Sequence, residues 1–175
     1  MNCLRSKIKA QRNALSNNEV ATLSNAVVNN LLNIDLSAYN NVFIYRSFKN
    51  EVDTTRLIST FLNENKTLAY PVIINDIMIA GIPKDNNETL SKFGTLEPTN
   101  YEVLDKIDVC FVPIIACDKN KNRLGFGKGY YDKFLSTHPC LKIGLCYDFQ
   151  VVEKITPNNW DIPLDLIVTE STIIK

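Results

Sequence analysis

Histidine is almost missing from this chain: His138 is the only one among 175 residues. That scarcity removes most histidine-based metal sites and leaves any Ser–His or Cys–His dyad hanging on one side chain. His138 itself stands in Ser-Thr-His-Pro-Cys, ahead of a proline, where a surface loop position is expected. Excess charge is missing as well. Lys plus Arg number 19 and Asp plus Glu number 19, which argues against a general nucleic-acid binder and against an acidic tail. No apolar run approaches the roughly 18 residues that span a bilayer. The first sixteen residues, Met1 to Ser16, carry no apolar centre followed by a small-residue cleavage site, so no secretion signal is read there. The five cysteines (Cys3, Cys110, Cys117, Cys140 and Cys146) are odd in number and lack Cys-x-x-Cys spacing. Structural zinc and a disulfide scaffold are therefore not expected, and a reducing cytoplasm fits this usage.

What remains is the composition of an ordinary folded protein, 45% apolar and 22% charged. The length suits one domain with its own core, and no repeat or low-complexity linker divides it. Apolar residues at Ile8, Leu15, Leu23, Val27, Leu31 and Leu32 recur at helical spacing over the first 35 residues. Ser16 and Glu19 form a capping box that starts a second helix at Asn17. Arg5, Lys7, Lys9 and Arg12 make the first helix basic. Asn41 to Tyr45 reads as a buried strand. Thr54 to Leu62 reads as a helix capped by Asp53. Leu68 to Ile74 reads as a strand interrupted by Pro71. Asn75-Asp76 is a two-residue hairpin turn before Ile77. Residues 83 to 106 are polar and irregular, a candidate cover for a binding site. Asp108 to Val112, Leu141 to Tyr147 and Leu164 to Val168 are further strands, with a helix over Gly129 to Leu135. This alternation predicts an α/β layered fold with a largely parallel sheet.

The most informative segment runs from Val112 to Asp132. A buried strand leads into a polar turn, then Gly125, Gly127 and Gly129 alternate, then a helix starts. Glycines let backbone approach a ligand closely and take positive φ. A helix beginning near Gly129 offers free N–H groups and a positive dipole end to an anion. Arg123 adds a planar fork for phosphate oxygens and Lys128 a point charge. Asp132 is an oxygen donor of the kind Mg²⁺ shares with phosphate. The pattern is neither a Walker A loop nor a dinucleotide fingerprint, so by itself it also fits a tight strand-to-helix turn.

These residues resemble the 5-formyltetrahydrofolate cyclo-ligase family, also called methenyltetrahydrofolate synthetases. The resemblance is carried by Arg123 to Leu135, by Val112 to Asp118, and by the Glu51-Val-Asp53-Thr54 signature after Tyr45. Tyr70-Pro71, Glu97-Pro98, Ile143 to Gln150, Trp160 to Glu170 and Leu4-Arg5 extend it over essentially the whole chain, in order.

The resemblance implies a single-domain α/β/α fold like that of sugar-phosphate isomerases and acyl-CoA transferases. It implies ATP-dependent conversion of 5-formyltetrahydrofolate to 5,10-methenyltetrahydrofolate by a cytoplasmic monomer, with no nucleic-acid or membrane partner. ATP is the cosubstrate and Mg²⁺ the metal. By the resemblance, Arg5 and Arg123, Leu124, Gly125, Phe126, Gly127, Lys128, Gly129, Tyr130 and Tyr131 contact ATP. Lys128 and Arg123 are the catalytic pair. Arg46, Glu51 and the stretch Phe126 to Tyr130 contact the folate. Asp132 and Asp161 match the metal positions. Trp160, where many relatives have His, is expected to pack. Met1 stands where relatives often carry Lys. An isomerase or transferase on the same fold would instead need a catalytic carboxylate working without ATP.

Overall fold

Ser16 begins the second helix as its spacing requires. Its hydroxyl accepts from Glu19 N while the Glu19 carboxylate accepts from Ser16 N. The computed structural model describes residues 2–175; Met1 lies outside the described residues. In chain order the elements open with helices α1 (Asn2–Asn13) and α2 (Asn17–Leu32), strand β1 (Asn41–Phe43) and helix α3 (Thr55–Asn63). Next come β2 (Thr67–Ile74), β3 (Ile77–Pro83), β4 (Glu88–Leu90), β5 (Leu96–Pro98), β6 (Tyr101–Val103), β7 (Val109–Pro113), β8 (Ala116–Asp118) and β9 (Arg123–Leu124). Helix α4 (Tyr130–Thr137), β10 (Leu141–Leu145), a 3₁₀ turn at Asp148–Gln150, β11 (Val151–Val152), β12 (Leu166–Val168) and β13 (Ile173–Ile174) complete it.

An eight-stranded sheet in the order β13-β12-β10-β7-β1-β2-β3-β6 organises the chain. The five central strands from β12 to β2 run parallel, β13 and β3 run against them, and β6, antiparallel to β3, again runs their way. Strand residues therefore alternate between two apolar faces. Val42, Ile44 and Phe111 meet α2 and α3 through Val27, Leu31, Leu57 and Phe61. Phe43, Cys110 and Val112 face Phe134 and Leu135 of α4. A second sheet, β11-β8-β9, packs Ile115, Ala116 and Leu124 against Ile8 of α1. The expected α/β layers with a largely parallel sheet are present.

Several local expectations change. The strand at Asn41 ends at Phe43. Thr54 occupies the cap position of α3 but its hydroxyl donates to Tyr45 O at 2.8 Å and not to the helix, while Asp53 Oδ1 accepts from Thr55 N at 2.9 Å. Pro71 does not interrupt β2. Ala69 turns its carbonyl to Ile44 on the β1 side, and Pro71 is in phase with Ala69. The missing proline donor thus falls where β1 has already ended. Asn75 and Asp76 both take positive φ, as a tight hairpin turn demands. Residues 83 to 106 are not irregular: β4 and β5 form a hairpin there, and β6 extends the main sheet. His138 is half-buried, its ring stacked on Phe134 at 4.1 Å, so the surface expectation gives way to a helix-end packing role. All five cysteines are free thiols.

Candidate active site

The parallel strands deliver their carboxyl ends to one cleft of about 980 Å³, the edge at which α/β sheets offer ligands a crevice. Tyr45 and Arg46 follow β1, Pro71 and Ile73 belong to β2, and Pro113 ends β7; all five line it. Every residue the sequence proposed as a contact lines this cleft: Arg5, Arg46, Glu51, Arg123 to Asp132, and Asp161.

Part of the cleft wall is the glycine turn. Asp118, fully buried, shapes the chain ahead of it by accepting from Asn120 N, Asn122 N and Asn122 Nδ2 at 3.0 Å and from Ile155 N at 2.8 Å. Arg123 then points inward, and its Nη2 donates to Asp132 Oδ1 at 2.7 Å. Gly127 and Gly129 take φ of 91° and 69°, which a side chain would resist. Gly129 opens α4 without a side-chain cap, leaving the first N–H groups of that helix for a ligand. Arg5 reaches over from α1 to donate to Gly125 O at 2.9 Å, and a Cβ on Gly127 would stand 3.5 Å from its guanidinium. Lys128 is exposed on the turn. Leu124 and Tyr131 border the cleft but also pack in the apolar clusters on either side.

Beside the glycine turn the lining is carboxylate and aromatic. Glu51 is 6% exposed and its Oε2 accepts from Phe48 N at 2.9 Å. Burial pushes its carboxyl above the usual range, opposed by the nearby Arg12 cation and the Phe48 N–H. Arg46 lies over the Tyr70 ring at 4.3 Å and pairs with Glu88 of the β4–β5 hairpin. That hairpin also brings Phe93, Thr95, Leu96 and Glu97 to the cleft wall. Tyr130 Oη donates to Asp76 at 3.0 Å, and Lys92 pairs with the same carboxylate, so the hairpin is tied to both the β2–β3 turn and the glycine turn.

Sequence reasoning missed Phe48, Phe93 and Glu97 because the last two sit in a stretch with no clear period. It also misplaced Trp160, which is 69% exposed on the cleft rim and does not pack. Arg12 was read only as one of several basic helix residues, yet it is 2% exposed beside Glu51.

Both expected metal positions already make hydrogen bonds within the protein. Asp132 spends Oδ1 on Arg123 and on Ile162 N, and Asp161 spends Oδ2 on Asn158. Each retains one oxygen, a donor set that suits Mg²⁺ only if phosphate oxygens complete its shell. Among the described residues no group of three acidic, histidine or cysteine side chains could hold a metal alone.

A layered α/β fold with a large cleft, lined by cations, a glycine turn and a buried carboxylate, defines a small-molecule enzyme. The chain belongs to the 5-formyltetrahydrofolate cyclo-ligase family, whose model matches residues 2–170. It is 33% identical over 174 residues to the 5-formyltetrahydrofolate cyclo-ligase of Mycoplasma pneumoniae, covering 97% of this chain and 98% of the relative. The Mycoplasma genitalium cyclo-ligase is 39% identical over 131 residues, 73% of this chain and 71% of the relative. The fold superposes on the NMR structure of Aquifex aeolicus 5,10-methenyltetrahydrofolate synthetase with a TM-score of 0.87 at 35% identity, covering 98% of this chain and 90% of that one.

Proposed function

We propose that this chain converts 5-formyltetrahydrofolate and ATP to 5,10-methenyltetrahydrofolate, ADP and phosphate, acting as a single-domain monomer in the cytoplasm. Among the described residues no helix is long and apolar enough to cross a membrane. The observation that carries the proposal is that one cleft gathers cations, an uncapped helix start and a buried carboxylate. Arg5, Arg123, Lys128 and the uncapped start of α4 line it together with Glu51, whose neighbour Arg12 also lies 5.9 Å from the Phe126 ring of the glycine turn.

A formyl amide is a poor electrophile and its oxygen a poor leaving group. Transfer of the γ-phosphoryl group to that oxygen makes it a good one. The second folate nitrogen then attacks the same carbon, closes a five-membered ring, loses its proton and expels phosphate. Ring closure is intramolecular, so the protein has mainly to fix the folate's conformation. Phosphoryl transfer needs positioning and charge neutralisation, with no protein nucleophile. Arg123 and the glycine N–H groups hold the phosphates, and Lys128 neutralises the γ-phosphoryl group as it moves. Arg5 fixes the turn from α1. Glu51 accepts paired N–H donors from the pterin ring, with Arg46 and the stretch Phe126 to Tyr130 beside it. Asp132 and Asp161 would hold Mg²⁺, which when bound supplies positive charge to the phosphate oxygens.

The test is a turnover assay. The protein is mixed with 5-formyltetrahydrofolate, Mg²⁺ and ATP, and the near-ultraviolet band of the methenyl product is followed. The band should appear only with ATP. No band in the presence of ATP, with both ligands still raising the melting temperature, would reduce the chain to a binding protein.

A further inference from the structure

Arg12 leaves α1 and turns into the protein, where its side chain is almost wholly covered. Its Nη1 stands 3.8 Å from Glu51 Oε1, beyond hydrogen-bond range, and 3.5 Å from Ile114 O. Its buried Nε has no hydrogen-bond partner among the described residues. The same guanidinium lies 5.9 Å from the Phe126 ring centre in the glycine turn. A buried arginine with a donor unused is costly unless its charge acts elsewhere.

We infer that Arg12 is a positioning residue for the folate site: it sets a buried cation beside the Glu51 carboxylate without occupying the oxygen that the ligand needs. Glu51 Oε2 is spent on Phe48 N, while among the described residues Oε1 has only the distant Arg12 cation. An acceptor oxygen is therefore presented to the ligand, and the separation of 3.8 Å from Arg12 keeps it open. Arg12 acts through Glu51 and does not itself line the cleft. This inference rests on the folate role proposed for Glu51.

The groups facing Glu51 are Arg12 from α1, Tyr45 beyond β1 and Tyr131 from α4, while Tyr147 Oη donates to the Glu51 main-chain oxygen. Burial pushes all three phenols up, so they stay neutral through the acid and neutral range. Burial pushes the Glu51 carboxyl up, and the Arg12 cation and the Phe48 N–H hold it back. Without Arg12 its carboxyl would take a proton at still higher pH, and folate binding would fail from the acid side sooner.

Binding of 5-formyltetrahydrofolate and of a non-hydrolysable ATP analogue is measured by calorimetry across pH on the full chain. Arg12→Met should weaken folate binding about 30-fold near neutral pH, the size of effect seen when one partner of a buried charge pair is truncated. It should move the acid limb of folate binding to higher pH and leave the nucleotide analogue unaffected. Arg12→Lys should restore part of the loss, since it keeps the charge. In a Glu51→Gln background Arg12→Met should cost nothing further, and this double variant removes both buried charges, so it leaves neither unpaired. Wild-type folate affinity and an unmoved acid limb in Arg12→Met, with Glu51→Gln impaired, would overturn the role of Arg12 alone. An equal loss in the Glu51→Gln background would overturn it too. Wild-type affinity in Glu51→Gln itself would overturn the underlying assignment of Glu51.

Discussion

Arg123 Nη2 and Asp132 Oδ1 meet at 2.7 Å, joining the strand before the three glycines to the helix after them. The side chains are 4% and 16% exposed, so the turn between them is closed by an ion pair largely withdrawn from water. The Arg123 Nε lacks a hydrogen-bond partner among the described residues, which makes Asp132 its main compensation. Asp132→Asn should therefore lower stability by about 3 kcal/mol, the low end for breaking a buried pair. Denaturant unfolding measures it. An unchanged midpoint would mean that Arg123 finds another partner.

Lys128 is exposed on the turn, and no ion pair ties it down among the described residues. Its charge should count at the moment of phosphoryl transfer. Lys128→Ala should reduce kcat about 100-fold, the scale on which one transition-state donor acts. Folate binding should be nearly untouched. Steady-state kinetics separates the two; unchanged kcat would remove Lys128 from the chemistry.

Gly127 and Gly125 make a matched pair of probes. Gly127 has φ of 91° and Arg5 above it, whereas a Cβ on Gly125 meets nothing within 4 Å. Gly127→Ala should cost about 1 kcal/mol of backbone strain and raise the KM for ATP. Gly125→Ala should leave the melting temperature close to that of the parent. Equal effects at both positions would mean that conformation at Gly127 is not what the turn requires.

Glu97 on β5 is 8% exposed and accepts from Ile73 N at 3.4 Å. Burial raises its carboxyl above the ordinary value of 4.5, against smaller opposing effects of the Ile73 N–H and Lys92. A carboxyl raised by folding favours the folded state when protonated. That contribution is complete at pH below the unfolded value and is lost as pH rises through the folded one. Glu97→Gln keeps the acceptor for Ile73 and removes the charge. It should raise the melting temperature at pH 7, and the gain should vanish in acid. A gain that does not depend on pH would contradict this cause.

The helices and the glycine turn were legible because each is a local pattern. Ser16 with Glu19 announces a helix start, Asn75-Asp76 a hairpin, and three alternating glycines a turn. The β4–β5 hairpin was not legible. Its two paired segments are three residues each, β4 is exposed throughout, and no face repeats long enough to show a period. Pro71 misled for the opposite reason. Its sequence signal is strong, and only the early end of β1 makes it harmless. Arg12 could not be singled out from Arg5, Lys7 and Lys9, because a row of cations on a helix does not say which one turns inward. That depends on Glu51, 39 residues later, meeting it across the fold.

The most direct test follows the formyl oxygen. The chain is given 5-formyltetrahydrofolate labelled with ¹⁸O in the formyl group, together with ATP and Mg²⁺, and the released phosphate is analysed by mass spectrometry. Phosphorylation of that oxygen followed by ring closure predicts one ¹⁸O atom in each phosphate formed with the methenyl product. Unlabelled phosphate alongside the methenyl product would mean that the ring closes without passing through the phosphorylated formyl group, and would contradict the account.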